Sequence, residues 1–429
     1  MSDVPAPEGF LYDAAPRLLA AAVAWNHREF YVLQARAVHG QIHQADGVTW
    51  THPGAGQAPM ILFPELDPRR AGEQLDTIIQ SYCERPPQQL VGCWSLEPPR
   101  PPDLGVYLLA RGFQPGWQPR WMWLDLERMQ LHHAAPEGLR IELLETAPAW
   151  EAPELPYYSR AAAAISQAMA ALPPRRIWHF VAWLNDEPVG QSTLLLTTGP
   201  LGIAGLYGVG VAPGARNRGV GKAMTAAACR HAQALGARIA MLNGTGEPMY
   251  RQLGFERLGY GQTWWLNVPR LAAHPPSRQR IALAEALGRG DLAALARQGF
   301  DEPFDQPLAN GMTLLELAAH TQQPASAEWL LGQGAVLELL PAWDLGWHDR
   351  VIHLLGVHPE LANRRHGEMG ATPLHTAVER DDIALARVLL AARPDLSIED
   401  TTFGGTPLGW AWHLGRDEVR TLIEQHQDG

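Results

Sequence analysis

Cysteine is scarce. Cys83, Cys93 and Cys229 are the only three in 429 residues, and no two stand in a Cys-x-x-Cys spacing. An odd, scattered set of this kind speaks against a disulfide framework or a cysteine zinc site and fits reduced, mostly buried thiols. Long apolar runs are missing too. The stretch near the N-terminus, Leu18 to Trp25, is far too short to cross a bilayer, and Met1-Ser2-Asp3 carries no basic leader. Positive charge is also in deficit, with 34 Lys+Arg against 45 Asp+Glu and a net charge of −11. Neutralising phosphates needs a basic face, so nucleic acid is not an expected partner, whereas a cationic amine or basic peptide is favoured. These absences together predict a cytoplasmic protein with no membrane segment and no metal.

What is present describes a folded chain, 46% hydrophobic and 18% charged. Its length exceeds one ordinary core and predicts about three domains. Sixteen tryptophans supply core mass and candidate pocket walls.

The most informative stretch runs from Leu206 to Thr225. An apolar, β-branched run ends at Pro213, a loop carries Gly214, Gly219 and Gly221, and an alanine-rich helix follows to about Leu235. The glycines let the backbone turn tightly and approach a ligand. The N–H groups from Arg216 to Lys222 thus form a candidate anion nest, reinforced by the positive end of the helix.

The order Val211, Pro213, Arg216, Gly219, Gly221 resembles the pyrophosphate loop of the GCN5-related N-acetyltransferases (GNAT family). The rest of the family pattern follows: a strand from Arg238 to Leu242, then Asn243, Met249-Tyr250 and Leu253-Gly254-Phe255, the likeness covering roughly residues 138 to 270. The resemblance implies a mixed-sheet α/β fold whose fourth and fifth strands splay apart around acetyl-CoA, the cosubstrate. It implies that a backbone N–H near Val209 or Val211 polarises the thioester. The N–H groups of Arg216, Asn217, Arg218, Gly219, Val220, Gly221 and Lys222 would then hold the pyrophosphate, and Asn243 the pantetheine arm. Tyr250 would protonate the departing thiolate.

A general base is not evident. Relatives often place a carboxylate in the fourth strand, but Leu206-Tyr207-Gly208-Val209-Gly210-Val211 has none. Glu145, Glu154, His179 and Glu247 are candidates by chemistry alone, and an acceptor amine of low pKa would need less help. Tyr207, Trp178, Trp183 and Trp264-Trp265 either border the acceptor pocket or pack the sheet.

Residues 1–135 read as a helix from Ala14 to Asn26, strands Phe30–Val38, Gly47–His52 and Pro59–Phe63, a helix Pro68–Cys83 and a strand near Gln89–Trp94. Tyr107 to Phe113 and Trp121 to Leu126 line up with Met249 to Phe255 and Thr263 to Val268, with ten residues from Phe113 to Trp123 and ten from Phe255 to Trp265. This internal repeat makes the N-terminal part resemble a degenerate copy of the same fold. Its counterpart loop, Pro64 to Glu73, has one glycine and three carboxylates, and Leu108 stands in place of the tyrosine, so no coenzyme is expected there. The second copy is expected to begin with a strand Leu139–Leu143. Helical material follows from Ala147 to Ala171, then a strand pair Ile177–Leu184 and Val189–Thr197 around the turn Asn185 to Pro188, and a central strand Leu201–Val211.

After the linker His274 to Ser277 the pattern is helical. Gly311 to Ala319, Gly370 to Ala377 and Gly405 to Ala411 are variants of one phrase, with Thr372 and Thr406 34 residues apart. Thr372-Pro373-Leu374-His375 resembles the opening of an ankyrin repeat. A degenerate repeat is expected at about Leu337–Leu355 and a capping one at Ile281–Gln298, giving about five. The expected architecture is a degenerate GNAT-like domain (1–135), a catalytic GNAT domain (136–272) and an all-α ankyrin solenoid (277–429). The expected function is acetyl-CoA-dependent N-acetylation of an amine, on a peptide or protein recruited by the repeats. The alternative is a non-enzymatic CoA-sensing adaptor that binds a protein through the repeats.

Overall fold

The computed structural model describes residues 9–54, 56–130, 136–145, 152, 154–244, 246–297, 303–367 and 369–427. The chain divides into two units, Met1–Leu108 with Phe113–Ala273, and Leu109–Gly112 with His274–Gly429. Among the described residues no helix is long and apolar enough to cross a membrane.

The first unit opens on a 22-residue helix, α1 (Pro16–Ala37), with proline in its first turn, where the missing N–H costs nothing. This overturns the expected strand at Phe30–Val38. Leu19, Ala22, Val23, Asn26 and Leu33 recur at helical spacing and are all buried, so the packed face outweighs the local β preference of Phe30-Tyr31-Val32.

There follow β1 (Gln41–Ala45), β2 (Val48–His52), β3 (Met60–Leu62), α2 (Ala71–Glu84), β4 (Val91–Leu96), α3 (Leu104–Ala110), β5 (Phe113–Pro115) and β6 (Arg120–Asp125). The chain goes on through β7 (Leu139–Leu144), α4 (Arg160–Ala170), β8 (Ile177–Leu184), β9 (Glu187–Leu196), β10 (Ala204–Val211) and α5 (Val220–Ala234). It completes the unit with β11 (Ile239–Asn243), α6 (Glu247–Arg251), β12 (Glu256–Leu266) and α7 (Val268–Ala273). Residues 147–151 and 153, in the stretch expected to be helical, lie outside the described residues. Asn185 and Asp186, both at positive φ (52° and 64°), make the two-residue turn between β8 and β9.

One sheet runs through the unit in the order β1-β2-β3-β4-β12-β6-β11-β10-β9-β8-β7, with β5 also on β12. The pairs β3/β4 and β10/β11 are parallel, each crossing over through a helix, α2 or α5. Their following strands are exchanged: β6 pairs with β11, and β12 pairs with β4. Alternate residues of the central strands feed two cores, as the two-residue period of a strand requires. Leu194, Leu196, Ala204, Leu206, Ala240 and Leu242 pack with α5 residues such as Met224 and Ala228. Leu195, Tyr207, Ile239 and Met241 pack with Leu19, Val23 and Leu33 of α1 and Met169 of α4.

The second unit is helical: α8 (Arg278–Arg289), α9 (Leu292–Arg297), α10 (Leu314–His320), α11 (Pro324–Gly332), α12 (Leu339–Asp344), α13 (His348–Val357), α14 (Pro373–Arg380), α15 (Ile383–Ala391), α16 (Pro407–Leu414) and α17 (Asp417–Gln427). The three related phrases begin their helices in the same way. Thr313, Thr372 and Thr406 are N-caps, and the Thr313 and Thr406 hydroxyls accept from the N–H groups of Glu316 (3.0 Å) and Gly409 (3.1 Å). His375 closes the Thr372 cap and donates from Nε2 to the Gly405 carbonyl (2.9 Å), tying one phrase to the next. The segments expected as a degenerate and a capping repeat form the helix pairs α12/α13 and α8/α9.

Candidate active site

Strand β10 pairs with β11 only from Ala204 to Leu206, opposite Ala240 to Leu242. It stays with β9 as far as Val211, with a bulge between Tyr207 and Gly210. The two parallel strands therefore part after Leu206, leaving the β11 side of Tyr207–Val211 open. Gly208 takes the bulge at φ 56°. At Gly210 a Cβ would lie 2.5 Å from the Pro156 carbonyl oxygen, which also accepts from Gln191 Nε2 (3.0 Å). Only glycine lets the 155–158 loop lie this close.

Beyond β10, Pro213–Ala215 make one 3-10 turn, and Asn217 and Gly219 both sit at positive φ, 60° and 82°. Gly219 caps α5 without a side chain, leaving the first-turn N–H groups of Val220, Gly221 and Lys222 ahead of any intrahelical acceptor. After Arg216, the next backbone N–H bonded within this loop, among the described residues, is that of Ala223, to the Gly219 carbonyl (3.0 Å). The loop after β3 differs ahead of its helix. There the N–H of Leu66 goes to the Arg100 carbonyl (3.2 Å), that of Asp67 to Gln74 Oε1 (3.0 Å) and that of Arg69 to Asp67 Oδ1 (2.9 Å). The first-turn N–H groups of Ala71, Gly72 and Glu73 in α2 have no side-chain cap either, so the difference lies in the residues ahead of the helix, which are bonded after β3 and, beyond Arg216, not after β10 among the described residues.

In front of α5 lies a groove of about 490 Å³. Arg216, Asn217, Gly219, Val220, Gly221 and Lys222 line it, with Val211 at one end and Pro248, Met249 and Gln252 opposite. Of the expected coenzyme residues, Val209 is half-buried against the α5-side core, and Arg218 is exposed. Arg216 folds its Nε back to the Val211 carbonyl (3.2 Å), and Lys222, the one lysine in the sequence, donates to Gln252 Oε1. Asn243 ends β11 at the mouth of the parting, opposite Trp121 of β6.

Tyr250, on α6, is 6% exposed, its ring edge-on to Phe255 at 5.8 Å and close to Gly244 and Gly246. Burial pushes its hydroxyl up to about 12, and the neighbouring Tyr157 and Cys229 groups add to the shift. At neutral pH it holds its proton and can donate it. Tyr157 stands beside the bulge, itself at φ 62° and 3.9 Å from where a Cβ of Gly208 would be. Tyr157 is one of ten non-glycine residues at positive φ among the described residues, and its place beside the bulge is not carried by composition. Its sequence trace is the Pro156-Tyr157-Tyr158 cluster ahead of an alanine-rich helix.

On the α1 side of the same bulge is a pocket of about 230 Å³. Phe30 and Gln34 of α1 wall it, together with Tyr157, His179, Thr193 and Tyr207. His179, Thr193 and Tyr207 are cross-strand neighbours on β8, β9 and β10. The Ser166 carbonyl can only accept, so His179 carries its proton on Nε2 (3.3 Å) and accepts the Thr193 hydroxyl at Nδ1 (3.2 Å). Burial lowers its pKa, which keeps the ring neutral. The Tyr207 hydroxyl is spent on Asn26 Oδ1 (2.6 Å), and Asn26 donates in turn to Thr197 and Ile203, both at 3.0 Å. This fully buried amide fastens α1 to β10. A Cβ at Gly205 would collide with it.

The other candidate bases and aromatics stand elsewhere. Glu247 is buried and bonded to Arg257 (2.6 Å to each oxygen) and Arg251 (2.8 Å). The Arg257 guanidinium, then Arg251, hold its carboxyl below the usual range despite burial, so it braces α6 and is not a base. Glu145 and Glu154 are exposed and line neither cavity. Tyr207 borders the pocket. Trp178 packs on His231 of α5 (5.5 Å), Trp183 lies under Arg140 (5.3 Å), and Trp264 and Trp265 pair with β4 and β5. The second reading, sheet packing, holds for these four.

Residues 139–255 match the acetyltransferase (GNAT) family model, and residues 369–401 match the ankyrin repeat. Protein PhlB of Serratia liquefaciens is 30% identical over 138 residues, 32% of this chain and 49% of that protein. The chain thus spans about half the length of the curated relative it matches. Among solved structures it is similar to a GCN5-related N-acetyltransferase from Kribbella flavida (16% identity, 57% of this chain, 95% of that one, TM-score 0.44). It is also similar to a tandem GNAT protein from the clavulanic acid biosynthesis pathway (18% identity, 51% and 77% covered, TM-score 0.40). The protein combines a mixed α/β sheet of GNAT type with a helical C-terminal region of ankyrin type.

Proposed function

We propose that the chain binds acetyl-CoA in the groove before α5 and transfers the acetyl group to an amine. The observation that carries this reading is the parting of β10 from β11, with outward N–H donors at one end and Tyr250 at the other. In this reading the 217–222 backbone and the α5 N-terminus hold the pyrophosphate. Asn243 meets the pantetheine arm at the mouth. Bound acetyl-CoA supplies the thioester. An N–H of Val209 or Val211 polarises its carbonyl, the neutral amine attacks the carbonyl carbon, and the C–S bond breaks. The Tyr250 hydroxyl gives its proton to the leaving sulfur and recovers one released by the new amide.

We read residues 1–135 and 136–272 as two copies of one plan, because β3-α2-β4-α3 repeats the order and parallel pairing of β10-α5-β11-α6. The first copy's loop has the N–H groups of Asp67 and Arg69 already bonded and carries Glu65, Asp67 and Glu73, so in this reading it holds no coenzyme. The repeats, residues 277–429, are proposed to hold a protein partner on their stacked surface. Calorimetry with acetyl-CoA, followed by thiol release over a panel of amines and peptides, tests the reading. Binding with release supports it. Binding with no release from any amine favours the CoA-sensing adaptor, and no binding removes both.

A further inference from the structure

The 230 Å³ pocket on the α1 side of the bulge is the part of the molecule that says most about the acceptor. Its position follows from the strand: Tyr207 and Gly208 of β10 line the pocket, and Val211, a few residues on, lines the coenzyme groove. Tyr157, 74% exposed, stands at the rim of the pocket beside Gly208. An acceptor held here would meet an acyl group lying in the parting.

Three properties of the walls narrow the acceptor. The first is charge. Among the described residues, none lining the pocket is Asp, Glu, Lys or Arg, and His179 uses both ring nitrogens on Ser166 and Thr193. An ammonium ion brought in would lose its water and find no counter-ion, which is costly in a buried site. The second is shape. Phe30 stacks on Tyr207 at 4.1 Å with the rings 13° from parallel, so one wall of the pocket is a fixed aromatic pair, with the exposed Tyr157 ring at the rim. The third is size. A cavity of about 150 Å³ holds benzene, and drug-sized ligands need roughly 300 Å³ or more, so this pocket admits one ring with a short substituent. The Thr193 hydroxyl, which gives its proton to His179, and the Gln34 amide remain to orient an N–H.

We infer that the acceptor is a small single-ring arylamine, bound between α1 and the β8–β10 face with its amino group toward the bulge; the inference rests on the acetyl-transfer reading above. An arylamine is uncharged at neutral pH because its lone pair is delocalised into the ring. It therefore enters without deprotonation, which accounts for a site with no carboxylate in β10 and with Glu247 locked in ion pairs. After attack, the nitrogen loses one proton as the C–S bond breaks and sulfur gains one, giving the anilide and the free thiol. Helix α1 has a part in this site as well, since Phe30 and Gln34 bring the N-terminal half up to the acceptor.

The test separates the pocket from the chemistry. Fluorine NMR of the full chain, without coenzyme, should show 4-fluoroaniline binding and 4-fluorobenzylamine, a cation at neutral pH, binding at least tenfold more weakly. Ala162→Phe, which fills the pocket from α4, should abolish the 4-fluoroaniline signal while the acetyl-CoA Kd is unchanged. Gln34→Glu, which supplies a counter-ion, should reverse the preference toward 4-fluorobenzylamine. In thiol release, aniline should exceed benzylamine and short peptides tenfold or more in kcat/KM. Absence of 4-fluoroaniline binding, binding that survives Ala162→Phe, or a wild-type preference for peptides overturns the inference. Binding with the expected variant pattern but no thiol release leaves the arylamine site standing and overturns the acetyl-transfer reading.

Discussion

Gly221→Glu is the sharpest probe of the coenzyme groove. A Cβ at this position would sit 3.2 Å from Met249 Sδ and 3.4 Å from Val211 Cγ2, a crowding that the flexible methionine can relieve, so the fold should survive. The new carboxylate would project into the groove proposed to hold the pyrophosphate. Two unit charges about 4 Å apart repel by about 4 kcal/mol at an effective dielectric of 20. Screening at physiological ionic strength, with a Debye length of about 8 Å, brings this to roughly 2.5 kcal/mol, or a 50- to 100-fold weaker Kd. Gly221→Gln has the same bulk without the charge and separates steric from electrostatic loss. Titration calorimetry of both variants with acetyl-CoA at 0.15 M and 1 M salt reads the difference directly. The Glu variant should be the weaker at low salt, with the gap narrowing at high salt. Equal affinities for wild type and Gly221→Glu, or a gap that salt does not change, would refute the placement of the pyrophosphate.

Tyr250→Phe should lower kcat by ten- to a hundredfold with little change in acetyl-CoA Kd, since its proton is needed only as sulfur departs; an unchanged rate where chemistry limits turnover would demote it to packing. His27, enclosed by Tyr31, Phe63, Trp94, Trp121 and Tyr207 with neither ring nitrogen bonded, has its pKa lowered by burial from 6.5 to about 3. The unfolded chain binds a proton that the folded chain refuses, so stability is lost as pH falls below 6.5. That loss is about 2 kcal/mol by pH 5, and His27→Phe should flatten the slope seen in urea titrations at the two pH values. Truncation after Ala273 should leave a chain that folds and binds acetyl-CoA with wild-type Kd; loss of cooperative unfolding by circular dichroism would instead make the repeats a brace.

The groove was legible because its signals are local. Gly219 and Gly221 mark positions where the chain needs a left-handed turn or a close approach, and Asn243, Tyr250 and Phe255 follow at short, fixed intervals. The pocket was not, because its walls are assembled across distance. Phe30 and Gln34 belong to a stretch that reads locally as a strand and becomes helix only because Asn26 and Leu33 are buried against elements far along the chain. The exchange of β6 and β12 between the halves was equally hidden. Both strands carry a pair of tryptophans together with polar residues, and nothing in such a run names its partner. Glu247 shows the converse: its identity suggested a base, while its role was decided by two arginines, one four and one ten residues away.

The number of acetyl-CoA molecules bound per chain tests the account most directly. Calorimetry on the full chain should give one site, abolished or strongly weakened in Gly221→Glu and untouched by substitutions in the Pro64–Glu73 loop. Two equivalent sites, or one site indifferent to Gly221 and lost on changing the Pro64–Glu73 loop, would contradict the assignment of the coenzyme to the groove before α5.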